Sequence, residues 1–256
     1  MPDLKTPAPV RRRPYPYTLE LVIWMIEQRS FLALGGAEHD WLKAKLHFAF
    51  AGMGNPEHRP IGPLRVWNDD EFAPGSGFPM HPHRDVEIVT YVREGAVTHE
   101  DNLGNRARIE AGELQVMSTG TGIRHAEFNA EAVPLRLFQI WFDPRKPGGN
   151  PNWASRRFLT SERDGRFVVL ASGDPGDAGA LAINADARLL GATLQNGDTL
   201  IHELGPGRRS YLVTTAGQID LNGQRLEPRD GAAIYAEDRL TITACADTEI
   251  LLVEIA

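Results

Sequence analysis

From Leu46 onward, apolar and polar residues alternate in short runs, each closed by Gly, Pro, Asn or Asp. Leu46-His47-Phe48-Ala49-Phe50 and Leu64-Arg65-Val66-Trp67 show the two-residue period at which a strand sends side chains to one face. Val86 to Val92 reads as a strand ending in a turn at Glu94-Gly95. Asp101-Asn102-Leu103-Gly104-Asn105 reads as a hairpin loop, with Glu113 to Met117 and Leu135 to Phe142 as further strands. Many short strands and few helical periods predict an all-β chain folded as closed barrels or sandwiches.

The run Asp143-Pro144-Arg145-Lys146-Pro147-Gly148-Gly149-Asn150-Pro151 interrupts any regular element and marks a domain boundary. Beyond it the strand pattern restarts at Arg166-Phe167-Val168-Val169-Leu170 and at Leu189 to Gln195. A faint repeat links the halves: Tyr91-Val92-Arg93-Glu94-Gly95 and Ala111-Gly112-Glu113 resemble Val213-Thr214-Thr215-Ala216-Gly217 and Asp230-Gly231-Ala232. The division predicted is an N-terminal extension at 1–24, a first barrel at 25–148 and a second at 149–256. Residues 1–17, rich in Pro and Arg, read as a disordered arm, residues 18–26 as a short helix or strand, and Met25 as an alternative natural start.

Composition removes several function classes. A net charge of −7 over 256 residues argues against a general phosphate-binding surface, so direct nucleic-acid recognition is not expected. A single cysteine, Cys245, excludes an intramolecular disulfide, fits a reducing compartment, and reads as a small buried hydrophobe. No apolar run approaches the roughly 20 residues of a membrane span. Leu21 to Ile26, although preceded by Arg11-Arg12-Arg13, is too short for a signal peptide, and a cytoplasmic protein is expected. No Gly-x-Ser-x-Gly elbow or Cys-x-x-Cys occurs, which sets aside the common serine-hydrolase and zinc-ribbon readings.

Candidate chemistry lies between Gly75 and Asn129. His81 with His83, and His125 with Glu127, each stand two residues apart, so each pair aims into one interior if its segment is a strand. Three imidazoles and a carboxylate suit a borderline first-row divalent metal with positions left open. Glu87 shares the parity of His81 and His83, so spacing alone leaves the carboxylate as either Glu127 or Glu87, the other serving as an outer hydrogen-bond partner. His39, His47, His58, His99 and His202 read as surface or satisfied core histidines, with His47 also placed to line a cavity. Arg65, Arg84 and Arg124 read as salt-bridge formers, and Phe78, Tyr91 and Phe128 as core or pocket wall. In the second repeat Glu203 and Gly205 fall where His81 and His83 stand in the first, and no His follows His202; no second metal site is expected.

The flanks carry a resemblance. Gly75, five residues, His81-x-His83, three residues and Glu87 follow the first cupin motif; Gly122, two residues, His125, three residues and Asn129 follow the second. His81-Pro82-His83-Arg84-Asp85-Val86-Glu87 and Gly120-Thr121-Gly122-Ile123-Arg124-His125-Ala126-Glu127-Phe128-Asn129 resemble the pirin family, and the similarity extends through Leu64 to Asp70 and Gln139-Ile140-Trp141. That resemblance implies a bicupin of two double-stranded β-helix (jelly-roll) barrels, with iron held by His81, His83, His125 and Glu127. It also implies a quercetin 2,3-dioxygenase-type reaction, in which Fe(II) and dioxygen act on a small phenolic or flavonol substrate with release of carbon monoxide. Glu127 would take the hydroxyl proton and rotate on or off the metal. The alternative it implies is an iron-dependent redox-sensing regulator acting through a protein partner; a metal-dependent isomerase or sugar-binding cupin is a weaker third. The same donors tolerate Mn, Co, Ni, Cu or Zn.

Overall fold

The structure, a computed structural model, describes residues 26–205 and 207–255; the readings made of residues 1–24 and of Met25 lie outside them. The alternating runs form strands throughout, and those strands assemble into two matching pairs of sheets. In the first half a seven-stranded sheet runs in the order Asn152–Arg157, Glu113–Ser118, Glu87–Glu94, Leu135–Phe142, Leu64–Phe72, Leu42–Leu46, Gly36–Glu38. Its companion is a four-stranded sheet, Ser76–His83, Ile123–Asn129, Ala96–Asp101, Arg106–Glu110. The second half repeats the plan: Ile26–Arg29, Gly231–Ile234, Arg209–Ala216, Thr248–Ile255, Ala187–Leu194, Val168–Ser172 and Leu181–Ala182 in one sheet, Thr199–Glu203, Arg239–Ala244, Ile219–Leu221 and Gln224–Leu226 in the other. The faint sequence repeat is thus a repeat of topology, with Glu87–Glu94 and Arg209–Ala216 at the same place in their sheets. The expected all-β bicupin architecture is present.

The edge positions are exchanged. Ile26–Arg29, from the start of the first half, pairs with Gly231–Ile234 of the second. Asn152–Arg157, beyond the Pro/Gly-rich boundary, pairs with Glu113–Ser118 of the first. Each half therefore lends the other one edge strand.

The two seven-stranded sheets pack face to face, which explains why Glu87–Glu94 and Thr248–Ile255 are buried almost without a break. One face of each looks into its own barrel and the other into the shared layer. That layer is the largest apolar cluster, with Trp67, Val89, Tyr91, Phe138 and Ile140 of the first half against Leu170, Tyr211, Val213, Leu251 and Val253 of the second. Some of the polar groups crossing it are paired. Arg163 Nη1 donates to Glu249 Oε1 at 2.7 Å, and Tyr91 Oη donates to the same oxygen. His47, expected as a possible cavity wall, lies in this layer instead, 2.8 Å from Tyr211 Oη. Arg29 lies over the Phe48 and Tyr211 rings and donates to the His47 carbonyl, which anchors the exchanged strand. Cys245, expected buried, is only partly so, in the turn after Arg239–Ala244.

The barrels differ inside. Cross-strand register places Asn68, Gln139, Thr90 and Gln115 side by side across four neighbouring strands of the first barrel. The matching row in the second barrel is Leu190, Leu252, Leu212 and Ala232, part of a closed apolar core. The second interior is filled; the first carries a band of hydrogen-bonding groups.

Because the shared layer joins both halves, weakening it lowers the stability of the whole chain. Arg163→Ala leaves Glu249 and Tyr91 without their cation. With Glu249 23% exposed, the expected loss is about 2–3 kcal/mol, below the range for a fully buried pair. Differential scanning calorimetry should show one transition moving down, not a separate early melting of either half.

Candidate metal centre

His81 and His83 close the strand Ser76–His83, which lies at the edge of its sheet, where Pro79 and Pro82 are tolerated. The neighbouring strand Ile123–Asn129 pairs His125 with His81 and Ile123 with His83. A register shift then sets Glu127 opposite Phe78, a bulge that re-aims side chains beside the cluster. Two glycines make this possible in different ways. Gly75 turns the chain at φ +67, and Gly77 lies so close to the neighbouring strand that a Cβ there would meet the Glu127 carbonyl oxygen at 2.2 Å.

The three imidazoles of His81, His83 and His125 converge, each offering a nitrogen within 4.8 Å of the others. His81 Nδ1 donates to the Pro79 carbonyl at 2.8 Å, which leaves Nε2 as its free lone pair. Burial, reinforced by the adjacent imidazoles, holds His125 down at about 2; burial and His81 hold His83 at about 4. Both rings are therefore neutral, with lone pairs available. His125 is 2% exposed, and among the described residues neither of its ring nitrogens has a hydrogen-bond partner. Each such orphaned group costs on the order of 1–3 kcal/mol. A metal ion is the partner that fits three imidazoles meeting at one point, two of them held neutral.

Glu127 is buried beside His125 and held by the polar row. Gln115 Nε2 donates to its Oε1 at 2.6 Å and Thr90 Oγ1 to the same oxygen at 3.2 Å, while Gln139 Nε2 donates to Oε2. Both amides are themselves oriented: Trp153 Nε1 donates to Gln115 Oε1 at 2.9 Å, and Trp141 Nε1 to Gln139 Oε1 at 3.1 Å. An indole N–H only donates, so it fixes each amide with its own N–H toward the carboxylate. Burial nevertheless pushes the Glu127 carboxyl up to about 7, against the pull of its three donors. Rotation of this carboxylate, expected from the resemblance, has to break those bonds.

Glu87, the rival carboxylate, is not brought to the cluster. It shares the face of Val89 and Tyr91, and its Oε2 accepts from Ser118 Oγ at 2.6 Å and the Asn184 backbone N–H at 3.0 Å. His99, read as an ordinary core histidine, is fully buried and offers a nitrogen within 4.8 Å of donors on His125 and Glu127. Its Nε2 lies 3.2 Å from Asp101 Oδ2, and its ring stacks on Trp153. The missed signal was Asp101, two residues along the same strand. Among the described residues, both clusters of donors able to hold an ion lie in the first barrel.

The imidazoles and Glu127 open onto a cleft of about 240 Å³ walled by Phe50, Phe78 and Trp141, with Asn68, Asp70 and Gln139 also lining it. Phe78 is thus a wall, one of the two roles left open for it; Tyr91 belongs to the shared layer and Phe128 is exposed. Arg65 pairs with Asp143, and Arg124 Nη2 donates to the Met80 carbonyl.

Gly77→Ala forces the two donor-bearing strands apart. The expected result is a folded protein that retains less than a tenth of the wild-type bound metal, read by elemental analysis beside circular dichroism. Retention of wild-type metal would show that this close approach does not set the cluster.

Residues 27–142 match the Pirin family, and residues 169–255 match the quercetinase C-terminal cupin domain. The pirin-like protein of Caulobacter vibrioides is 56% identical over 232 residues, spanning 91% of this chain and 100% of its own. The quercetin 2,3-dioxygenase of Escherichia coli is 39% identical over 232 residues, 90% of this chain and 99% of its own. The crystal structure of the bacterial pirin YhhW from Escherichia coli in complex with nickel(II) superposes with a TM-score of 0.85 at 37% identity, covering 90% of this chain and 99% of that one. With the paired barrels and the imidazole cluster in the first of them, these matches show that the chain belongs to the pirin family.

Proposed function

We propose that this protein is a metal-dependent dioxygenase of the quercetin 2,3-dioxygenase type, with His81, His83, His125 and Glu127 as ligands of an iron(II) ion and a flavonol or related phenol as substrate. The observation that carries the reading is His125: a buried neutral imidazole with both nitrogens unpartnered, facing two further imidazoles in an aromatic cleft. The names of the Escherichia coli relative and the nickel(II) bound by YhhW support it.

Bound there, iron(II) supplies Lewis acidity and redox chemistry toward dioxygen. The rest of the work falls to the chain. Phe50, Phe78 and Trp141 hold the substrate rings and exclude water from them. Glu127, the carboxylate that lines the cleft beside the imidazoles, accepts the proton of the substrate hydroxyl. Gln115, Gln139 and Thr90 keep its carboxylate oriented as that proton arrives.

Iron-loaded protein incubated aerobically with quercetin should consume dioxygen and release carbon monoxide one-to-one with substrate loss, and His125→Ala should abolish both. Substrate loss no faster than with free iron, at a demonstrably filled site, rejects the reading.

Metal affinity should also depend on pH through Glu127. A carboxyl raised to about 7 binds a proton as pH falls below neutrality, and that proton competes with the metal. Wild-type affinity should therefore fall toward that of Glu127→Gln as pH drops from 8 to about 5.5, roughly tenfold per unit below 7. Competition against a chromophoric chelator measures it; parallel curves for the two proteins would remove Glu127 from the ligand set.

A further inference from the structure

Three of the four residues in the polar row grip Glu127; Asn68 does not. Asn68 stands opposite Gln139, and Asp70 follows it on the same face of Leu64–Phe72. Both line the cleft that holds the imidazoles. Asn68 Oδ1 and Asp70 Oδ1 are buried without a hydrogen-bond partner among the described residues, and Asp70 as a whole is only 3% exposed. Buried polar groups are almost always satisfied, so two adjacent exceptions on one cleft wall point to a partner that arrives with the ligand.

The chemistry of that partner is constrained. Arg93, the nearby cation, is turned to Asp69 on the opposite face of the strand, so the wall formed by Asn68 and Asp70 itself offers an anionic group no counter-charge. Burial, with Asp69 and Glu127 nearby, holds the Asp70 carboxyl well above the usual carboxylate range. A carboxyl beside an amide offers acceptors and, from the amide, donors. A hydroxyl, which donates and accepts, satisfies both; an apolar or carboxylate substituent satisfies neither. The aromatic walls require that this hydroxyl be carried on a flat ring.

We propose that Asn68 and Asp70 form a hydroxyl-docking subsite that selects aromatic substrates bearing ring hydroxyls beyond the one presented to the metal centre. The proposal rests on the reading of this cleft as a substrate pocket. It assigns the discrimination to two named side chains on the wall and not to the imidazoles.

The test is equilibrium binding to metal-loaded protein under nitrogen, where turnover cannot occur, comparing quercetin with 3-hydroxyflavone, which lacks the other hydroxyls. Wild type should bind quercetin at least ~10-fold more tightly, because a site built to bond a hydroxyl leaves its own groups unpaired with an analogue lacking it. Asn68→Leu and Asp70→Leu should each bring that ratio to within about twofold while metal content stays at the wild-type level. Asp70→Asn, which keeps a donor and an acceptor, should preserve the preference and guards against a merely structural loss. Equal binding of both flavonols by wild type, failure to bind either, or a preference untouched in both leucine variants overturns the subsite. Aerobic turnover is read separately. A preference that is lost in the variants without any turnover keeps the subsite and removes the dioxygenase; turnover with an unaltered preference does the reverse.

Discussion

A carboxylate inside a barrel must be hydrogen-bonded, and the first barrel is built around meeting that requirement for Glu127. Burial alone would drive the group neutral or expel it. Three donors from three adjacent strands of the facing sheet, Gln139, Thr90 and Gln115, keep it near neutrality. To deliver them, Glu87–Glu94, Glu113–Ser118 and Leu135–Phe142 must pair in one register, because a slip of one residue would turn the row to the other face. The register of these three strands and the satisfaction of one buried carboxylate therefore go together.

The second barrel shows what the same topology does without that charge. Where the first has Asn68, Gln139, Thr90 and Gln115, the second has Leu190, Leu252, Leu212 and Ala232, and its interior is a closed apolar cluster. Four hydrophobic residues in place of four polar ones convert a binding cavity into a core. That core holds rigid the sheet on which the first barrel leans, through Tyr211, Val213, Leu251 and Val253. The exchanged edge strands bind the two barrels further, since neither seven-stranded sheet is complete without residues from beyond its own half.

Much of this was legible in the sequence. His81 with His83 and His125 with Glu127 reveal themselves because a strand's period is two, so spacing alone places each pair on one face. The repeat from Tyr91 to Gly95 against Val213 to Gly217 was equally readable, and it is where the topology coincides. The polar row was not. Asn68, Thr90, Gln115 and Gln139 stand at irregular separations, and only cross-strand register makes them neighbours. Thr90, Gln115 and Gln139 were each visible only as one polar residue in an apolar run, as Gln139 is between Phe138 and Ile140, and Asn68 only as the start of the polar run Asn68-Asp69-Asp70-Glu71. Glu87 shows the opposite failure: its parity with the histidines was real, but the turn at Arg84-Asp85, with φ +51 at Asp85, carries it into another sheet and onto the shared layer. His99 was passed over because its partner two residues on is an aspartate and not a second histidine.

The two tryptophans that orient the amides have a second role, and it joins the substrate wall to the carboxylate. Trp141 packs edge-on against His83, 5.1 Å between centroids, and lines the cleft, while its N–H holds Gln139. Trp153 stacks on His99 at 5.0 Å while its N–H holds Gln115. Each arm thus runs from an imidazole through an indole and an amide to one oxygen of Glu127. Any ligand that presses on Trp141 acts on the same ring that fixes Gln139, and through it on the direction of its hydrogen bond to the carboxylate. An apolar wall residue in its place would fill the same volume but would leave Gln139 free to turn its carbonyl toward Glu127, exchanging an attraction for a repulsion inside a medium that screens neither. Indoles at these positions are therefore required by the electrostatics of one buried acid as much as by the shape of the pocket.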